Sequence, residues 1–195
     1  MAAPCVRFGY ASANARGWSI GGQNPNLRTG VIHGGRSLAI VAEAVAKVKW
    51  GDGILRKYAD DVGRLGADSQ AVKLFDEFAS VKGSGEILRK FDIDDVGVQL
   101  ELTVAKRARD SGEQVLELQR GVPGGEIDIV SRTKAIEVKM SPNNGAMRRF
   151  EAQAIRLKEH AAANGLQPEY WFKNSMHGDR LAFLEQLGIR PVLID

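Results

Sequence analysis

The chain has 195 residues, 44% hydrophobic and 26% charged, with a net charge of +3, a composition that supports a soluble fold with a real core in one or two domains. A single cysteine, Cys5, excludes an intrachain disulfide and any one-chain thiolate cluster, and reads as a bland thiol rather than a nucleophile. No apolar run reaches the roughly eighteen residues of a membrane span, and the N-terminus shows no basic segment followed by an apolar stretch, so no secretory signal is expected.

Charge is unevenly distributed. Residues 1–89 hold 12 Lys/Arg against 8 Asp/Glu, or +4; residues 90–195 hold 15 against 16, or −1. A nucleic-acid partner of the second half would therefore need a local basic patch or help from the first half.

Residues 1–35 are rich in Gly, Asn and Ser and read as loop or as a connector. Leu38, Val41, Val45 and Val48 fall at helical spacing over 36–49, and Trp50-Gly51-Asp52-Gly53 breaks that pattern. A second helix carries Leu55, Tyr58, Val62 and Leu65; a third, capped by Asp68 or Ser69, carries Val72, Phe75 and Ala79. Lys82–Gly85 reads as a hinge-like stop. The expected organisation is a leader and small helical region over 1–85, without evident chemistry, and a second domain over 86–195.

In that second domain, Asp94 or Asp95 can cap a helix to about Arg109, with Val98, Leu102 and Ala105 on one face and Glu101 on its flank. Val115 to Arg120 is a first strand, and Gly121 to Gly125 a turn. Two strands of alternating character follow. Ile127 and Ile129 point one way, Glu126 and Asp128 the other. Ile136, Val138 and Met140 share a face, and Glu137 and Lys139 share the opposite one. If Ser131 to Lys134 make the turn, three acids and a lysine meet on one patch. Such a cluster is costly unless something binds it, and a divalent cation is the natural partner. Beyond it, Phe150, Ala154, Leu157 and Ala161 mark a long helix, Glu169 to Lys173 a strand, Arg180 to Leu187 a helix, and Pro191 to Ile194 a last strand.

Asp128 followed by Glu137-Val138-Lys139 resembles the PD-(D/E)xK signature of restriction-endonuclease-like nucleases, with Ile127-Asp128 standing where the proline and first acid would be. The Gly125-Glu126-Ile127-Asp128 wording is similar to the Holliday-junction resolvases and to toxin nuclease domains at the C-termini of bacterial polymorphic toxins. The resemblance covers roughly residues 90–195. It implies an α/β fold with an αβββαβ core and a mixed central sheet, and Mg²⁺ (or Mn²⁺) held by Asp128, Glu137 and the carbonyl of Val138. Lys139 would neutralise phosphate charge or orient the attacking water.

Further roles follow from the same resemblance. Glu101 sits where a helical glutamate completes the resolvase metal site; its alternative is a surface glutamate. Gln153 stands where relatives carry a residue contacting the scissile region, and Arg149 is a candidate phosphate contact. Glu126 is either a second ligand or a solvated turn residue, while Arg156 and His160 read better as a solvated face. Tyr170 and Trp171 read as core. His33, His160 and His177 are too scattered for a metal triad, and His33-Gly34-Gly35, though like an esterase oxyanion loop, has no Gly-x-Ser-x-Gly to follow it. No Walker loop is present. The expected activity is metal-dependent cleavage of nucleic acid, DNA before RNA, by a bacterial toxin with a cognate immunity protein, acting in the cytoplasm of a target cell. A dimeric repair or resolving nuclease and a catalytically silent binding module remain as alternatives.

Overall fold

The computed structural model describes residues 50–194. The leader, Cys5, His33 and the helix expected over 36–49 lie outside the described residues. Four described helices come first, then three strands, then helix, strand, helix and strand, giving six described helices and a five-stranded mixed sheet. They are α1 (Asp52–Leu65), α2 (Gln70–Asp76), α3 (Ser84–Lys90), α4 (Val96–Asp110), β1 (Val115–Val122), β2 (Gly125–Ser131), β3 (Lys134–Lys139), α5 (Met147–Asn164), β4 (Gln167–Phe172), α6 (Gly178–Leu187) and β5 (Arg190–Leu193).

The helix starts follow local capping chemistry. The Ser69 side chain accepts the Val72 N–H at the start of α2, and Asp95 accepts those of Gly97 and Val98 at the start of α4. Gly165 and Gly188 end α5 and α6 with left-handed backbone, as helix C-caps commonly require. The expected third helix stops sooner than its periodicity suggests, so Ala79 lies in the turn beyond it, still fully buried.

Strands lie in sequence order, β1-β2-β3-β4-β5. The first two pairs are antiparallel hairpins; β3–β4 and β4–β5 are parallel, crossing over through α5 and α6. The β1–β2 hairpin turns on Pro123 and Gly124, with Gly124 at φ +80, the conformation a proline-glycine turn demands of its second residue. In the β2–β3 turn, Ser131 Oγ accepts the Lys134 N–H at 3.0 Å and donates to Glu113 Oε2 at 2.9 Å. The turn itself is Arg132 and Thr133, inside the expected Ser131–Lys134 span.

Both sheet faces are covered. On one, Leu118, Ile129, Ile136 and Val138 join a core with α1, α2, α3 and α4; on the other, Val130, Ala135, Tyr170 and Phe172 pack with α5 and α6. Ile127 departs from the expected alternation, joining the second core while Ile129 belongs to the first. Between them the β1–β2 ladder breaks: it pairs Leu118 with Ile129 and Arg120 with Ile127 but skips Gln119, whose φ is +50.

The expected boundary near residue 85 falls inside the first core. Trp50, Tyr58, Val62, Val72, Phe75 and Phe78 share that cluster with Leu102, Val104, Ile129 and Ile136. Trp50, Tyr58 and Phe75 form an aromatic triangle with centroids 5.8–6.0 Å apart. Buried Asp61 of α1 accepts the Ile93 N–H at 3.3 Å and pairs with Arg64 at 2.9 Å, joining α1 to the approach to α4. Nor is the Lys82–Gly85 stretch a hinge. Lys82 bridges to Glu117 of β1, and α3 starts at Ser84. Gly83, at φ +87, lies so close to β1 that a Cβ there would fall 1.7 Å from the Leu118 carbonyl oxygen. Among the described residues, no helix is long and apolar enough to cross a membrane.

Candidate active site

The charged residues of the β2–β3 hairpin meet where its ladder ends. Backbone pairing stops at Ile129 with Ile136, one step before Asp128 would face Glu137. There the Asp128 side chain takes the place of the ladder, with Oδ2 accepting the Val138 N–H at 2.7 Å. β3 meanwhile stays bound to β4 along its full length. The gap therefore opens only on the β2 side, and the side chains at its rim are acidic.

Lys139 Nζ lies 2.7 Å from Glu137 Oε1 and 3.7 Å from Asp128 Oδ2. Asp128 is 5% exposed and Glu137 2%, so the charged face expected from the alternation is buried. Glu101, reaching in from α4, is the third acid. Its Oε2 accepts a 2.7 Å hydrogen bond from Gln119 Nε2. The expected third acid, Glu126, instead pairs with Lys90 of α3, because the start of β2 passes that helix.

Three carboxylates confront one ammonium in a buried place, and burial raises the pKa values of all three acids. Burial pushes Glu101 up to about 9, with the Asp128 charge adding to it. Glu137 is pushed up to about 7 by burial and then by Asp128. Burial also raises Asp128, against the opposing pull of Lys139. For Lys139, burial works to discharge the ammonium, but Asp128 and Glu137 outweigh it and hold it protonated. The cluster therefore retains protons that ordinary carboxylates would lose well below neutral pH.

These groups match the donor chemistry of a hard divalent cation: buried carboxylate oxygens, in excess of their countercharge, with Glu137 Oε2 buried and without a hydrogen-bond partner. Lys139 supplies a countercharge to two of these acids. Among the described residues, no three His, Cys, Asp or Glu side chains are already gathered as a metal-holding group.

Beside Lys139 a cleft of about 330 Å³ is lined by Ser141, Gly145, Arg149, Gln153, Tyr170 and Arg180, among others. Gln153 and Arg149, both anticipated on α5, thus share a cleft with Lys139, and Arg149 is exposed. Arg156 and His160 of α5 are not the solvated face expected. Arg156 Nη1 donates to the Gly124 carbonyl at 3.0 Å and packs over Gly125, where a Cβ would fall 2.8 Å from its Cζ. His160 is half-buried and held below its usual range, first by desolvation and then by Arg120.

Three contributors escaped the sequence reading. Tyr170 is core, as expected, yet it also lines the cleft. Arg180 is 6% exposed, stacks over Phe150 at 5.0 Å, and donates to the carbonyls of Pro142 and Gly145, which shapes the cleft rim. Gln119 holds Glu101. No local pattern marks any of the three, since each contact spans 18 or more positions. Trp171 is half-buried against the first core, its indole donating to Glu169 Oε2 at 2.8 Å. No family model, curated protein or solved structure matches the chain.

Proposed function

We propose that this chain is a metal-dependent nuclease with a restriction-endonuclease-like core, delivered as a bacterial toxin and cutting DNA in the cytoplasm of a target cell. The observation that carries the reading is the Lys139 ammonium held between buried Asp128 and Glu137, with Glu101 adjoining, at the point where the β2–β3 ladder ends. An amphipathic hairpin with ordinary cross-strand ion pairs has no need to bury two carboxylates beside a third. The strand order and the helix carrying Glu101 agree with the αβββαβ core that the motif implies.

Asp128, Glu137, Glu101 and the carbonyl of Val138 are the groups that would hold Mg²⁺ or Mn²⁺, which when bound polarises a phosphate and acidifies a water. Asp128 also ties β2 to β3 through the Val138 N–H. Lys139 is a preorganised cation next to the acids, placed to neutralise charge that grows on a phosphate oxygen. Gln153 and Arg149 present an amide and a guanidinium in the adjoining cleft, suited to phosphate oxygens. DNA is preferred because the Gly125–Asp128 wording is similar to DNA-resolving enzymes. An immunity protein covering the site is the expected partner, and a dimer is compatible with the resolvase alternative.

The second reading, a silent nucleic-acid-binding module, draws on two observations: no ready-made metal group stands among the described residues, and Lys139 already pairs with two of the acids. Incubating the folded chain with duplex DNA, branched DNA and RNA, with and without Mg²⁺ or Mn²⁺, separates the readings. The proposal expects metal-dependent DNA cleavage that Asp128→Ala or Glu137→Ala abolishes without unfolding the chain. RNA cleavage would move it to an RNase toxin, and paired cuts in branched DNA to a resolvase. No cleavage with either metal, by protein that still binds nucleic acid, would leave the binding module.

A further inference from the structure

Gln119 is the one described non-glycine residue with positive φ, at +50. An L side chain in that conformation is strained, and such residues persist only where their surroundings impose them. The surroundings here do so from both sides. Leu118 and Arg120 pair with Ile129 and Ile127 of β2, while the Leu118 N–H donates to the Lys82 carbonyl at 2.8 Å and its own carbonyl presses against Gly83. Gln119 stands between these anchors, outside the ladder, at the position opposite Asp128.

Its side chain is 5% exposed. Nε2 donates to Glu101 Oε2 at 2.7 Å, and Oε1 is buried with no hydrogen-bond partner. A strained backbone and an orphaned buried carbonyl both work against stability at one residue. An apolar residue would remove the orphaned Oε1 but would leave Glu101 Oε2 without its donor, so what sets the glutamine here is that acid. What the glutamine supplies is a fixed donor to the one acid of the site that comes from a helix. Asp128 and Glu137 are placed by the hairpin; Glu101, on the separate α4, has no other side-chain hydrogen bond among the described residues to orient its carboxylate.

We propose that Gln119 is a positioning residue of the metal site, fixing the Glu101 carboxylate beside the Asp128–Glu137 pair so that a divalent cation can draw the three acids together. The inference rests on the metal-site reading above. It makes β1, a strand without a motif residue, part of the site, and it gives the break in the β1–β2 ladder a purpose. Groups that orient metal ligands typically change metal affinity by ten- to a hundredfold when removed.

The test is calorimetric Mn²⁺ titration with parallel thermal melts of the full chain, its Gln119→Gly and Glu101→Gln variants, and the double variant. Glycine accepts positive φ and removes the orphaned carbonyl, which offsets the lost bond to Glu101, so Gln119→Gly is expected to change the melting temperature little while Mn²⁺ affinity falls by roughly tenfold. Gln119→Asn, which suits left-handed backbone but is one methylene too short, is expected to lose affinity likewise. In the Glu101→Gln background the Gln119 substitution should cost no further affinity. A lower melting temperature with unchanged affinity in both Gln119 variants would make the residue structural and overturn the proposal. Equal affinity losses with and without Glu101 would overturn its action through that acid. A parent chain that takes up no Mn²⁺ is a separate result, and it would remove the metal-site reading together with this inference.

Discussion

Lys139 has two duties that one substitution can separate. As a countercharge, it offsets buried Asp128 and Glu137; as a cation beside the proposed reaction centre, it stabilises charge developing in the transition state. Lys139→Met keeps the length of the side chain and removes the charge. Stability should fall by about 3–5 kcal/mol at alkaline pH, the usual cost of stranding a buried charge, and by less in acid, where the carboxylates take up protons. Denaturant melts across pH check this. Turnover should fall by about a hundredfold or more while nucleic-acid affinity changes far less. If turnover and affinity fall by the same factor, Lys139 is a binding residue only.

Glu101 carries its own pH signature. Its folded-state value is raised to about 9 by burial and then by Asp128, against about 4.3 for an unfolded chain. Between those values the folded state binds more protons than the unfolded state, so stability declines as pH rises. The contribution is fully present below about pH 4 and lost once pH passes 9. Glu137, raised to about 7, adds a decline of the same sign that ends sooner. The metal-free chain should therefore melt at lower temperature at pH 9 than at pH 5, and Glu101→Gln should flatten that slope. A slope unchanged in Glu101→Gln would mean that other groups carry it.

Among the elements, the approach of the Lys82–Gly85 turn to β1 governs how the helices meet the sheet. Gly83 combines φ +87 with a Cβ position 1.7 Å from the Leu118 carbonyl oxygen. An alanine there faces both backbone strain and a collision with main chain, which cannot rotate aside as a flexible side chain would. Gly83→Ala should cost at least about 2 kcal/mol, read as a shift in the urea midpoint with an unchanged slope. Gly51→Ala is the control, because a Cβ there meets nothing within 4 Å and the backbone is extended. The same turn anchors the strand that carries Gln119, so Gly83→Ala should also weaken Mn²⁺ binding, although no atom of Gly83 is near the acids by sequence.

For the whole molecule, the decisive fact is that described residues between Trp50 and Gly85 share one core with those after it. Removing residues 1–84 would strip Trp50, Tyr58, Val62, Val72, Phe75, Phe78 and Ala79 from the cluster that backs the sheet. Each large side chain so lost is worth roughly 1.5–3 kcal/mol of burial, and a domain has only about 5–15 kcal/mol in total. A chain beginning at Gly85 is therefore expected not to fold, which circular dichroism and a thermal melt would show. A folded, Mn²⁺-binding product would restore the boundary that composition suggested.

Much was legible from local pattern. Ser69 and Asp95 announced their helices, and the alternation from Gly125 to Lys139 placed Asp128, Glu137 and Lys139 on two adjacent strands. Helical spacing put Gln153 and Arg149 on the long helix that follows. These are short-range matters: a periodicity of 2 or 3.6 states which residues share a face, and a cap acts within three positions. What covers a face is decided by chain that arrives from far away. Only the tertiary structure moved Glu126 away to Lys90, settled that Glu101, singled out by the resemblance, stands beside the hairpin acids and not on the open surface, and buried a charged face that the alternation alone would leave open to solvent. It also turned a glycine-rich stretch from a hinge into a tight contact, through the Leu118 carbonyl that lies 35 positions away from Gly83. The kink at Gln119 belongs to the same class. A glutamine in a strand carries no local signal for positive φ, and its conformation is imposed by β2 on one side and the Lys82–Gly83 backbone on the other.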